Sequence, residues 1–215
     1  MKDTLKVIKI LEKYYKNYRR PTLRRTSKEK NPYKTLITCL ISLRVQDATT
    51  ERVSSNLFKI ADTPKKISKL SLKRLEKILY STGYYKQKAK TIKYVTNVIL
   101  KKYKGKVPNT EEELLSIKGI GRKTANIVLS FAYNKLALPV DVNVHRIANR
   151  LNWVKTKNAD KTELELKKIV PKSYWRDINT IFILFGKSIC VPVSPFCSKC
   201  PVKRYCKRIG VKKSR

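Results

Sequence analysis

Four cysteines near one end of the chain constrain its fold more than any other feature. Cys190, Cys197, Cys200 and Cys206 lie within 17 residues in the spacing C-x6-C-x2-C-x5-C. Four thiolates so close in sequence can enclose one tetrahedral zinc ion or one iron–sulfur cubane, and either would tie this segment into a compact knot. Zinc ribbons usually present two tight C-x2-C knuckles, whereas this segment has one. A disulfide framework is the weaker reading: the start Met-Lys-Asp-Thr lacks the apolar core of a signal peptide, so a reducing cytoplasm is expected, nucleoid-associated if the cell is prokaryotic. Cys39 stands apart in the apolar run Leu36–Ile41, where a buried structural thiol is expected.

Apolar residues elsewhere recur at helical spacing, as in Leu5, Ile8, Leu11 and Tyr15, or Ile92, Val95, Val98 and Ile99, and no sustained strand alternation interrupts them. Helix starts are marked by Thr63 before Pro64, by Thr110 with Glu113 three residues on, and by Asp160 with Glu163 in the same relation. An all-α chain with short connections follows. Lys212-Lys213-Ser214-Arg215 reads as a frayed basic tail. No run approaches the roughly 18 apolar residues that span a bilayer, so no membrane partner is expected. The 51 Lys and Arg against 15 acids give a net charge of +36, a self-repelling excess that points to nucleic acid as the normal partner.

The segment from Leu114 to Ala125 reads as a short helix, a Gly119-Ile120-Gly121 turn and a second helix, a helix–hairpin–helix. Two glycines leave the backbone bare and tolerant of positive φ, and the next helix start aims unpaired N–H groups outward, which suits a DNA phosphate. Lys118, Arg122 and Lys123 surround the turn with positive charge. On residue chemistry alone Lys123 is a phosphate contact. Asp141, ahead of the apolar-periodic stretch Val142, Val144, Ile147 and Leu151, is an N-cap.

Gly119-Ile120-Gly121-Arg122-Lys123-Thr124-Ala125-Asn126, then Pro139-Val140-Asp141, then the cysteine quartet resemble the endonuclease III family in order and spacing, over about Tyr33 to Cys206. The resemblance implies a two-lobed helix–hairpin–helix DNA glycosylase fold: a six-helix barrel module over 27–138, and a second lobe formed by 1–26 and 139–215 that carries a [4Fe–4S] cluster on the four cysteines, with DNA bound between. It implies a bifunctional base excision repair enzyme, a monomer acting on double-stranded DNA with damaged bases or abasic sites. Lys123 would be the nucleophile that forms a Schiff base at C1′, its pKa lowered by Arg122 and Lys118, and Asp141 would stabilise the cationic sugar.

The resemblance also implies side chains that fill the gap left by an extruded nucleotide; Arg44, where a Gln often stands, and Tyr84 are the candidates. Asp47 would line the pocket or cap the next helix. The loop Val191–Phe196 carries no Lys or Arg, where the family is expected to have basic residues. Asn143 occupies a position at which enzymes for oxidised pyrimidines usually have His, and so resembles the adenine and thymine mismatch branches. Two features oppose those branches: Cys39's helix lacks the catalytic Glu of the adenine branch, and thymine-mismatch members often replace the lysine. Oxidised pyrimidines such as thymine glycol are the expected substrates, with mismatched bases the alternative. A DNA-binding protein without catalysis is a third reading, and the pairing of Lys123 with Asp141 argues against it.

Overall fold

A computed structural model describes residues 2–26 and 29–215. Among them every regular element is helical and none is a strand. In chain order the α-helices are α1 (Lys2–Tyr14), α2 (Thr22–Thr26), α3 (Pro32–Ser42), α4 (Asp47–Ile60), α5 (Pro64–Lys69), α6 (Leu72–Leu79), α7 (Tyr85–Tyr103), α8 (Glu111–Leu115), α9 (Arg122–Ile127), α10 (Val142–Arg150), α11 (Ala159–Ile169) and α12 (Trp175–Ser188). None is long and apolar enough to cross a membrane. The chain divides into a central unit, Thr22–Lys135, and a terminal unit made of Met1–Pro21 and Leu136–Arg215. The expected boundaries at 27 and 138 fall a few residues later, and position 27 is outside the described residues. The earlier start has a local cause. Thr22 N–H donates to both oxygens of Asp47 at 3.0 and 3.2 Å, which fastens α2 to the start of α4.

In the central unit α3 is buried on nearly every side, Tyr33 and Thr35 to Ile41 all being inside, as an apolar helix should be when others surround it. Asn31 caps it by accepting from Lys34 N at 3.0 Å, with Pro32 in the first turn. Thr63 and Thr110 cap α5 and α8 as their sequence signals predict. The 19-residue α7 packs Ile92, Val95 and Ile99 inward. Its Lys93 ammonium donates to the carbonyls of Ser68 and Leu70 at 2.7 and 2.6 Å, closing the C-terminus of α5. Lys88, on the same helix, is buried, and its ammonium has no hydrogen-bond partner among the described residues. Burial pushes its pKa down to about 8.

The terminal unit buries Val7, Ile8, Leu11 and Tyr15 of the N-terminal segment with Val144, Ile147, Ile181, Phe182 and Phe185. Tyr15 reaches Ser188 at 2.6 Å, joining the two ends of the sequence. The cap of α11 is Asn158, which accepts from Lys161 N at 2.9 Å, rather than Asp160; the latter sits inside the first turn, where its charge complements the helix dipole. Arg215 is not frayed. Its guanidinium lies 3.9 Å from the Phe196 ring, its N–H donates to Pro195 O at 2.8 Å, and its carbonyl accepts from Ser198 N at 2.9 Å.

Candidate active site and DNA-contacting turns

The hairpin forms as α8, a glycine turn and α9, with Ile117 and Ile120 buried as its apolar anchors. The two glycines act differently. Gly119 has φ +97, and a Cβ there would lie 2.7 Å from Thr91 Cγ2 of α7, so both backbone conformation and close approach require glycine. Gly121 has an ordinary φ of −96, contrary to the expectation of two permissive turns, and a Cβ on it would meet nothing within 4 Å. It is the N-cap of α9 and contributes no side-chain cap. The first-turn amides of α9 are thereby left without a capping side chain, as an anion site needs.

Lys118 is exposed, while Arg122 and Lys123 are half-buried. Arg122 is turned to Glu111 at 3.1 Å, so its charge is partnered and it does not crowd Lys123 as a lone cation. Lys123 makes no hydrogen bond or ion pair with the described residues. The next residue, Thr124, is buried and accepts from Cys39 Sγ at 3.6 Å. Cys39 is the buried structural thiol expected: burial raises its pKa, and the Lys123 charge opposes that rise only secondarily. Lys123 is near enough for its charge to act on Cys39, which packs with Ile127 and Phe131 in a buried cluster.

Arg44 and Tyr84, singled out separately, meet in the structure. The Arg44 guanidinium lies 5.8 Å from the Tyr84 ring centroid. Both have left-handed backbones, at φ +56 and +59, which costs a non-glycine residue roughly 1 kcal/mol. Tyr84 is 70% exposed and is the N-cap of α7. A strained turn that holds an exposed ring is a candidate contact surface. Asp47, by contrast, spends both carboxylate oxygens on Thr22 N–H, and Gln46 is the N-cap of α4. Asp47 thus caps α2 across the fold rather than its own helix.

In the terminal unit Asp141 is 8% exposed and is the N-cap of α10. Its Oδ1 accepts from the amides of Asn143 and Val144, both at 2.9 Å, and its Oδ2 accepts from Asn143 Nδ2 at 3.1 Å. The Asn143 amide is oriented by Arg146, whose Nη2 donates to Asn143 Oδ1 at 2.9 Å and to Gly186 O at 3.1 Å. Arginine can only donate, so the amide oxygen must face it and the amide N–H must face the carboxylate. Gly186 makes room: a Cβ there would lie 2.6 Å from Asn143 Oδ1 and 2.8 Å from Arg146 Nη2. No sequence motif flagged Arg146 or Gly186, because they join the site through contacts about 40 residues apart.

Cys190, Cys197, Cys200 and Cys206 line one cavity whose other walls include Ile147, Leu151 and Phe185. Among the described residues no three metal-binding side chains converge as a single ion requires. Four thiols lining one cavity are the soft donor set that zinc or iron–sulfur takes. Cys200 is pushed up to about 11, first by burial, against a lowering backbone hydrogen bond from Val202, and then by the charges of Cys206, Cys190 and Cys197, so its thiolate would need positive charge beside it. Arg150 donates to Cys190 Sγ at 3.4 Å and to the carbonyls of Val191 and Pro192 at 2.7 and 2.6 Å, and the Arg208 amide donates to Cys206 Sγ at 3.4 Å. Contacts of this kind are the ones that orient thiolates where a metal centre is bound. The uncharged loop 191–196 is braced by Arg150 and Arg215 from outside.

Residues 37–172 match the family model described as HhH-GPD superfamily base excision DNA repair protein. Endonuclease III of Thermotoga maritima is 43% identical over 182 residues, 85% of each chain. The chain belongs to the endonuclease III family. Endonuclease III-like protein 1 of Gallus gallus is 34% identical, over 78% of this chain and 61% of its own length. Among solved structures, a trapped endonuclease III–DNA covalent intermediate in an estranged-adenine complex aligns with a TM-score of 0.85 at 30% identity, covering 96% of this chain and 95% of that one. A thermostable thymine-DNA glycosylase aligns at 0.83 with 26% identity and 96% coverage of both.

Proposed function

We propose that this base excision repair glycosylase and lyase removes oxidised pyrimidines such as thymine glycol from duplex DNA, then cleaves 3′ to the abasic site through a Schiff base on Lys123. The observation that carries the reading is the Lys123 amine, placed in the first turn of an uncapped helix and bonded to no other described residue. A nucleophile must be unencumbered, and no bond has to break before this amine reacts. As the bond from C1′ to the base breaks, Nζ bonds to C1′ and the base departs with a proton. Opening of the sugar gives the iminium, loss of a C2′ proton expels the 3′ phosphate, and water releases the lysine. Asp141, fixed as an acceptor by three N–H donors, stabilises positive charge on the sugar. Gly119, Gly121 and Lys118 bind backbone phosphate, and Arg122 joins them by exchanging Glu111 for phosphate. Arg44 and Tyr84 fill the stack vacated by the extruded nucleotide.

The four cysteines would hold a [4Fe–4S] cluster, which when bound cross-links the C-terminal segment. Arg150 and the Arg208 amide hold two of the thiolates in position for it. A second reading, excision of mismatched thymine, is favoured by Asn143 and by the similarity to a thymine-DNA glycosylase. Borohydride trapping of wild type and Lys123→Ala on duplexes bearing thymine glycol, an abasic site, a G·T mismatch or adenine opposite oxidised guanine separates the readings. Capture on thymine glycol and the abasic site, lost in Lys123→Ala, is expected. Capture on G·T instead transfers the assignment to the mismatch reading, and neither capture nor base release on any duplex leaves a DNA-binding protein without catalysis.

A further inference from the structure

An open trough of about 540 Å³ lies in the central unit between α4 and α6, and the chemistry proposed above does not use it. Its cations are Arg52 and Lys59 from α4 and Arg74 and Lys77 from α6, all exposed, and no carboxylate lines it. Glu51, next in sequence to Arg52, is instead held by Arg25 at 2.6 Å. Four like charges facing one trough repel one another, an arrangement that an anionic partner relieves. Tyr80, at one end of the trough, is 71% exposed. The trough is also tied to the strained turn. Arg52 Nη2 donates to Ser81 Oγ at 2.9 Å, the Tyr80 ring centroid lies 5.2 Å from that of Tyr85, and only Thr82 and Gly83 separate Ser81 from Tyr84.

We infer that this trough binds the sugar–phosphate backbone of the duplex beyond the damaged nucleotide, extending the footprint from the Arg44–Tyr84 turn along α6. Arg74 precedes Tyr80 by six residues, about 9 Å of helix rise and so roughly three base-pair steps. The trough is too open to enclose a small ligand and reads no bases, so its contribution is affinity independent of sequence. The inference needs DNA as the partner of this surface and does not depend on the lysine chemistry.

The test compares Arg74→Gln/Lys77→Gln with wild type in binding two duplexes that carry an uncleavable abasic-site analogue. The long duplex has about 12 base pairs on either side of the analogue and reaches α6, and the short one ends about one base pair past the analogue on the side facing α6, less than the roughly three steps to Arg74. Lys9→Gln/Lys13→Gln, the same charge loss on the terminal unit, is the control, and Arg74→Gln alone is a second variant. On the long duplex the slope of log affinity against log salt should shrink by about 1.8 for the double variant and about 0.9 for the single one. The short duplex should bind unchanged. Equal losses on both duplexes, no change on the long one, or the same change in the control would overturn the proposal. Because the readout is binding to an uncleavable duplex, failure of the trough and failure of the Schiff-base mechanism give different results.

Discussion

The two side chains proposed to act on the sugar, Lys123 and Asp141, sit in opposite kinds of surroundings. Asp141 is saturated: three N–H groups donate to it, one of them held by an arginine that in turn needs Gly186. Lys123 has no bonded partner among the described residues, and the central unit leaves a second ammonium, Lys88, buried without one among them. A carboxylate that stabilises developing charge works best when it need not reorganise, whereas an amine that must form and break a covalent bond cannot be held by neighbours. On the proposed mechanism the chain spends its hydrogen bonds on the carboxylate and withholds them from the nucleophile.

The largest test of this contrast is Lys123→Ala, expected to lower strand cleavage by about 10³-fold or more with little change in stability, since no bond is lost. A stability loss comparable with that of a core mutation would show the lysine to be structural. Asp141→Asn should slow base release by about 10²-fold and also destabilise by about 1 kcal/mol, because the new amide N–H would confront the Asn143 amide. Single-turnover rates and thermal melts separate the two effects. Gly186→Ala pushes a methyl into the Asn143–Arg146 clasp and should cost about 1–3 kcal/mol, with slower base release although DNA binding is retained. Normal base release from a folded Gly186→Ala protein would show that the clasp does not position Asp141.

The smallest effect concerns Lys88. Its pKa is lowered to about 8 in the folded protein, below the ordinary value of 10.5. Between those values the unfolded chain binds the extra proton, so stability should rise with pH from about 8 to about 10.5; below pH 8 the burial penalty is present in full. Lys88→Met should then stabilise the protein by about 2 kcal/mol at pH 7, with the gain fading by pH 10.5 in urea melts. A destabilised variant, or one whose gain does not depend on pH, would show that Lys88 has a partner after all.

How much of this could be read from the sequence depended on the range of the contacts. The cysteine spacing, the Gly119 turn, the Thr63 and Thr110 caps and the Asp141 cap are local patterns, and each has its local cause in the structure. Asn158 displaced Asp160 because both residue types cap and only backbone geometry chooses between them. Gly121 looked like a second flexible glycine, yet its φ is ordinary and its bareness serves access. Asp47 gave a helix-start signal but caps Thr22, 25 residues away. The pairing of Arg44 with Tyr84, the clasp around Asn143, and the bracing of loop 191–196 by Arg150 and Arg215 all join distant positions, which periodicity and spacing cannot register.

One contact has a metric consequence. Gly119 rests its backbone on Thr91, and Tyr84 begins the same helix seven residues earlier, a rise of about 10 Å. The hairpin and the exposed tyrosine are thus two jaws of a calliper whose beam is α7. The gap between them is set in whole helical residues, so one residue inserted between 84 and 91 would swing one jaw by about 100° relative to the other without altering any side chain of either.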